Sequence, residues 1–177
     1  MILLITGASH TGKTALAQKL LEKFHYPYLS IDHLKMGLIR SHQTDLTALD
    51  DEKLTDYLWP IVREIIKTAY ENHQNLIVEG CYIPQNWTQS FGERELQNIR
   101  CLCLVMTNRY LHNHFDSIRN FADAIEKRID NSALSLVDLE ADNASYSLWH
   151  EDSHTRKLVI DDEYHIDAQS VPSDFVM

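Results

Sequence analysis

Gly7-Ala8-Ser9-His10-Thr11-Gly12-Lys13-Thr14 is the stretch on which the reading of this chain turns. It satisfies G-x-x-x-x-G-K-[ST]. It also stands between the apolar run 2–5 and a segment, roughly 13–24, that carries Leu16, Leu20, Leu21 and Phe24 on one helical stripe. Each part of the octad answers a need of phosphate binding. The glycines let backbone N–H groups wrap an anion, and the helix N-terminus adds positive potential. Lys13 reaches the terminal phosphates, and the Thr14 hydroxyl takes a Mg²⁺ position. At average composition such a match arises by chance in about 0.6% of chains this long, and the strand-to-helix setting lowers that further. An ordinary strand-helix turn is therefore the weaker reading. The expected nucleotide contacts are Gly7, Ala8, Ser9, His10, Thr11, Gly12, Lys13 and Thr14, with ATP and Mg²⁺ as the ligands. His10 fills a free position of the pattern, either as a tolerated loop residue or as a phosphate contact.

Outward from the octad, short apolar runs recur at 28–31, 76–78, 101–106 and 158–160, as strands buried on both faces should. Helical patterns separate them, so the order predicts an α/β fold in three layers around a largely parallel sheet. A helix starting near Asp50 keeps its period through Leu54, Leu58, Ile61, Val62, Ile65, Ile66 and Ala69, and Pro60 should kink it or split it in two. A helical stretch spans roughly 109–128, and the polar segment 130–154 has weaker periodicity. No repeat or linker divides the 177 residues, which suit a single domain.

Composition removes several classes of partner. The formal net charge is −10, and the 16 Lys and Arg form no run that could follow a phosphate backbone, so nucleic acid and anionic membranes are poor partners. The first residues have no basic region, and their apolar run is too short for a signal peptide or a membrane span, which points to the cytoplasm. Cys81, Cys101 and Cys103 lack metal-ligand spacing and read as buried, reduced thiols.

In open α/β sheets ligands bind beyond the carboxyl ends of the strands, and two carboxylates stand there. Asp32 follows the second apolar run and Glu79 the third. Phosphoryl transfer to a hydroxyl needs a group to orient or deprotonate the nucleophile and an acid to hold Mg²⁺ directly or through water. Asp32 suits the first role and Glu79 the second. The alternatives are that Asp32 caps a helix beginning at His33 and that Glu79 belongs to a surface turn before Gly80.

With the octad, the segment Leu29-Ser-Ile-Asp32-His-Leu-Lys35-Met-Gly37-Leu and the turn Val78-Glu79-Gly80, the chain resembles the nucleoside-kinase branch of P-loop proteins. That branch includes shikimate kinase, gluconate kinase, adenylate kinase, chloramphenicol phosphotransferase and the zeta toxins. The resemblance covers about two thirds of the chain. It implies a five-stranded sheet of order 2-3-1-4-5, an acceptor site between strands two and three, and a helical lid after strand four, at about 108–130. It also implies that Asp32 is the catalytic base. The adenylate-kinase pattern has an arginine three residues after that Asp and another soon after the strand-three acid; here stand Lys35 and no arginine.

A phosphoryl group in transfer needs cations from a segment that closes over it. Arg119 and Arg128 are the leading candidates, ahead of Arg109, and the alternative for each is a solvated helix-face charge. His150-Glu151-Asp152-Ser153-His154 matches H-E-x-x-H formally. A zinc hydrolase needs that pentad on a buried helix with a third ligand, whereas Asp152 charges its interior. Among the aromatic residues, Tyr82 and Trp87 are the candidates for lining an acceptor pocket. The expected activity is ATP-dependent transfer of the γ-phosphate to a small metabolite or nucleoside by a monomer or homodimer. A nucleoside monophosphate kinase and a non-catalytic ATP-binding regulator are the alternatives. The absence of N-K-x-D argues against a GTPase.

Overall fold

A computed structural model describes residues 1–48, 50–121 and 134–175. Five strands form one sheet: β1 (Ile2–Gly7), β2 (Tyr28–Ser30), β3 (Leu76–Glu79), β4 (Ile99–Met106) and β5 (Thr155–Ile160). Their spatial order is β2-β3-β1-β4-β5 and every pairing is parallel. This is the order that the resemblance implies. The helices are α1 (Lys13–Phe24), α2 (Ile31–Arg40), α3 (Asp51–Glu71), the single turn α4 (Glu93–Leu96), α5 (Asn108–Asn120) and α6 (Leu136–Ser147).

The layers follow from strand alternation. Ile2 and Leu4 of β1 face a core shared with Leu54, Leu58, Val62 and Ile66 of α3. Leu3 and Ile5 face the opposite core, with Leu16 and Leu20 of α1 and Leu111 and Ile118 of α5. Successive side chains of a strand point to opposite faces, so a run that is apolar at every position can be buried only between two helical layers. Every residue of β1 is buried accordingly.

Four details refine the sequence reading. Pro60 lies inside α3, which continues as one helix of 21 residues rather than two. Its side chain is exposed, so the carbonyl that loses its amide partner can turn to water. The second strand stops at Ser30, because Ile31 already begins α2. The helical stretch expected over 109–128 is α5 as far as Asn120; Arg128, Asp130 and the part of the expected lid from 122 onward lie outside the described residues. Finally, the weakly periodic segment before β5 contains α6.

α6 lacks a strong apolar stripe because much of its inner face is polar. Asn143 is buried and accepts a hydrogen bond from the Met106 amide at 2.7 Å, while the Tyr146 hydroxyl donates to the Cys81 carbonyl at 2.9 Å. Leu139 joins one core and Tyr146 the other. The helix thus runs over the carboxyl ends of β4, β1 and β3, directly above the octad.

Candidate active site

The octad forms a loop between β1 and α1. Gly12 sits at φ +85 in the left-handed region and opens the helix, a conformation that costs a residue with a side chain about 1–2 kcal/mol. Lys13 is only 9% exposed, and its ammonium donates to the carbonyls of Gly7 (3.0 Å) and Ala8 (2.8 Å). Burial of a lysine demands such partners. They hold the charge within the loop, with the Thr11 hydroxyl also turned inward onto the Ala8 carbonyl at 2.7 Å. His10 takes a positive φ of 63 in the same loop.

Thr14 and Glu79 meet across two elements: the Thr14 hydroxyl donates to Glu79 Oε2 at 3.3 Å. Glu79 is 1% exposed and pairs in register with Ile5 and Ser30, so it closes β3 inside the sheet and is no surface turn. The adjoining Gly80 donates its amide to Ile5 O at 3.0 Å and lies so close to Ile31 that an added Cβ would be 2.9 Å from that side chain. This contact fixes the start of α2, and with it Asp32, against the ends of β3 and β1.

Asp32 is not the helix cap that the sequence allowed. Ser30 holds the cap position, and Asp32 lies within the first turn of α2, where a carboxylate is favoured by the helix dipole. Its Oδ1 pairs with Lys35 Nζ at 2.6 Å, and the same ammonium donates to the Tyr82 hydroxyl at 2.8 Å. Tyr82 is therefore joined to Asp32 through Lys35, although it is only 3% exposed. Trp87, the other pocket candidate, is a core residue: it is 1% exposed and donates its indole N–H to Thr155 Oγ1 at 3.3 Å.

Two contacts at the loop carry no local signal in the sequence. Asp142 of α6 accepts the Ser9 amide through Oδ2 at 2.6 Å, over a separation of 133 residues. Tyr164, beyond β5, donates its hydroxyl to the Thr11 carbonyl at 3.3 Å and lies against Gly12, where a Cβ would be 1.8 Å from that oxygen. Burial of the hydroxyl end pushes the Tyr164 phenol up to about 12. Both residues come from segments that reach the loop only when the sheet is assembled.

The arginines expected in a lid divide. Arg119 is exposed in the last turn of α5. Arg109 is paired with Asp161 and, at 2.7 Å, with Asp162, which ties α5 to the segment after β5; hydrogen bonding to Arg109 holds the Asp161 carboxyl below its ordinary value.

The H-E-x-x-H pentad is a turn leading into β5 and not a helix. Asp152 accepts the amides of His154 and Thr155 at 2.8 Å each, and Glu151 accepts the Lys157 amide at 2.9 Å. Among the described residues no three His, Cys, Asp or Glu side chains converge to hold a metal. Cys101 and Cys103 are buried and Cys81 is partly so, all three as free thiols. Burial raises the thiol of Cys101 well above its ordinary value and that of Cys103 to about 12, so both are inert. Among the described residues, no helix is long and apolar enough to cross a membrane.

No protein-family model matches the chain, and no curated protein sequence does. Solved structures do resemble it. A gluconokinase from Sinorhizobium meliloti 1021 superimposes with a TM-score of 0.53 at 11% identity, over 95% of this chain and 87% of that one. A sugar kinase from Janibacter sp. HTCC2649 gives a TM-score of 0.53 at 11% identity, over 90% and 84% of the two chains. With the parallel order β2-β3-β1-β4-β5 and the octad after the central strand, the chain has the P-loop kinase-like fold.

Proposed function

We propose that the chain is an ATP-dependent kinase that transfers the γ-phosphate to a hydroxyl of a small metabolite or nucleoside in the cytoplasm. One observation carries this reading: the buried Lys13 ammonium and the Thr14–Glu79 pair stand at one loop, next to the strand end that leads into Asp32. The first two are what a nucleotide triphosphate needs, and Asp32 is what an acceptor hydroxyl needs. The solved structures of like fold are by name a gluconokinase and a sugar kinase, which agrees with a small-molecule acceptor.

Mg²⁺ fits the donor set, since the Thr14 hydroxyl and Glu79 carboxylate are hard oxygens and such an ion takes its remaining ligands from phosphate and water. When bound it offsets charge on the β- and γ-phosphates. The residues of the chain do the rest. The loop amides and Lys13 hold the triphosphate. Asp32 accepts a hydrogen bond from the acceptor hydroxyl and aims its oxygen at the γ-phosphorus. As that oxygen bonds to phosphorus, the bond to the β,γ-bridging oxygen breaks, ADP leaves with the electron pair, and the acceptor proton passes to the Asp32 carboxylate. Arg119 and Arg128 are the cations assigned to the phosphoryl group in flight. A monophosphate acceptor would need a cation beside Asp32, and the Lys35 ammonium there is engaged by Asp32 and Tyr82, which favours a hydroxyl acceptor without a phosphate.

Asp32→Asn tests the assignment. The amide keeps the shape and loses the basicity, so turnover should fall about 10²- to 10⁴-fold, while Mg·ATP affinity stays within a few-fold in calorimetry. Turnover is read as phosphate release from [γ-³²P]ATP with water as acceptor, or with any metabolite whose thermal-shift stabilisation depends on nucleotide. Wild-type turnover in the Asn variant would leave Asp32 a structural residue and move the role of base to Glu79.

A further inference from the structure

Lysines near the start of a helix normally reach into water, and an i,i+3 pair with an aspartate on a solvated face stabilises a helix only slightly. Lys35 departs from that pattern. Its side chain is 12% exposed, and its ammonium is shared between two elements: Asp32 Oδ1 of its own helix at 2.6 Å and the Tyr82 hydroxyl at 2.8 Å. The ammonium also lies 4.9 Å from the centre of the Tyr82 ring. Burial of an ammonium is costly unless its partners are well placed. One of those partners is the residue to which the chemistry assigns the acceptor proton.

We propose that Lys35 and Tyr82 are positioning residues that set the Asp32 carboxylate for phosphoryl transfer. This rests on the reading of Asp32 as base. Tyr82 is the fixed end of the brace: it is 3% exposed, packs in the core shared with α3, and stands three residues beyond Glu79, so its hydroxyl is held relative to the phosphate loop. Lys35 transmits that fixed point to Asp32. The pair engages Oδ1, and with the Asp32 side chain 35% exposed, Oδ2 is left for an acceptor hydroxyl. The ammonium also offsets the repulsion between the Asp32 carboxylate, buried Glu79 and an incoming triphosphate. Without it, the carboxylate would be free to swing toward solvent, and a misplacement of about 1 Å at a reacting group costs on the order of 10²-fold in rate.

The test uses the full-length chain with Mg·ATP as the probe and water as phosphoryl acceptor, in single turnover. Lys35→Met should lower the rate on the order of 10- to 100-fold with Mg·ATP affinity within a few-fold of wild type. Lys35→Arg should restore part of the loss, and Tyr82→Phe should show a smaller loss of the same kind. In the Asp32→Asn background, Lys35→Met should have no further effect, because a residue that acts through Asp32 has nothing left to act on. A crystal structure of Lys35→Met should show the Asp32 carboxylate turned away from its present direction. The brace is overturned by wild-type turnover in Lys35→Met, by the same loss in both backgrounds, by a loss confined to ATP affinity, or by an unmoved Asp32 carboxylate. If Asp32→Asn itself turns over like wild type, the reading of Asp32 as base fails instead, and the two failures are thereby distinguished. Should Lys35→Met not fold, Tyr82→Phe and Lys35→Arg carry the same comparison.

Discussion

Lys13→Ala separates two jobs that sequence motifs merge into one. Read from the octad, the lysine binds phosphate and supports no core, so its loss should leave the fold untouched. In the structure its ammonium also satisfies the Gly7 and Ala8 carbonyls from a position 9% exposed. A hydrogen bond to a charged group contributes about 1.5–3 kcal/mol, and two acceptors lose their donor together. Water can enter the vacated mouth of the loop and replace part of this, so the expected cost is about 2–4 kcal/mol. Typical stabilities of about 5–15 kcal/mol absorb that loss. At about 2–4 °C per kcal/mol for a domain of this size, Tm should fall by roughly 5–15 °C. The nucleotide loses a charged contact to its terminal phosphates, about 2–4 kcal/mol, or roughly 30- to 1000-fold in Kd. Calorimetric titration with Mg·ATP and scanning calorimetry of the free protein read the two effects separately. Equal ATP affinity in mutant and wild type refutes the phosphate-loop assignment. An unchanged Tm refutes the inference that the ammonium holds the loop carbonyls.

Two further outcomes follow from contacts at the same loop. Asp142→Asn keeps an oxygen to accept the Ser9 amide but removes a negative charge beside the bound phosphates, so Mg·ATP affinity in calorimetry should rise by about threefold to tenfold; unchanged or weaker binding would make Asp142 an anchor of the loop alone. Gly12→Ala places a side chain at φ +85 and a Cβ 1.8 Å from the Tyr164 hydroxyl, and should cost about 2–4 kcal/mol in denaturant unfolding. Adding Tyr164→Phe should recover only the steric share, and wild-type stability in Gly12→Ala would contradict the close approach.

The glycine-rich loop and α1 were legible because their determinants are local: glycines, a lysine and an apolar stripe act within one turn and one helix. The strands were legible for the same reason, although β2 ended one residue early because Ile31 already takes helical conformation, and β5, an edge strand that begins at Thr155, leaves Arg156 and Val159 exposed instead of buried on both faces. Less local features resisted. α6 hid in a polar segment because Asp142, Asn143 and Tyr146 bond to strand ends and to the loop, and such contacts leave no periodic trace. Trp87 invited a pocket and filled a core. The formal zinc pentad proved to be a turn whose carboxylates accept neighbouring amides.

By itself the sequence determined that this chain places a glycine-rich loop with a lysine after a buried strand, with carboxylates at the ends of two others. A strand's burial and a loop's glycines are properties of consecutive residues. Only the tertiary structure decided that Glu79 meets Thr14, that Lys35 and Tyr82 brace Asp32, and that Asp142 and Tyr164 touch the loop itself. Those pairings join residues brought together by the parallel crossovers of the sheet, and side chains this far apart along a chain acquire a partner only when the fold supplies it.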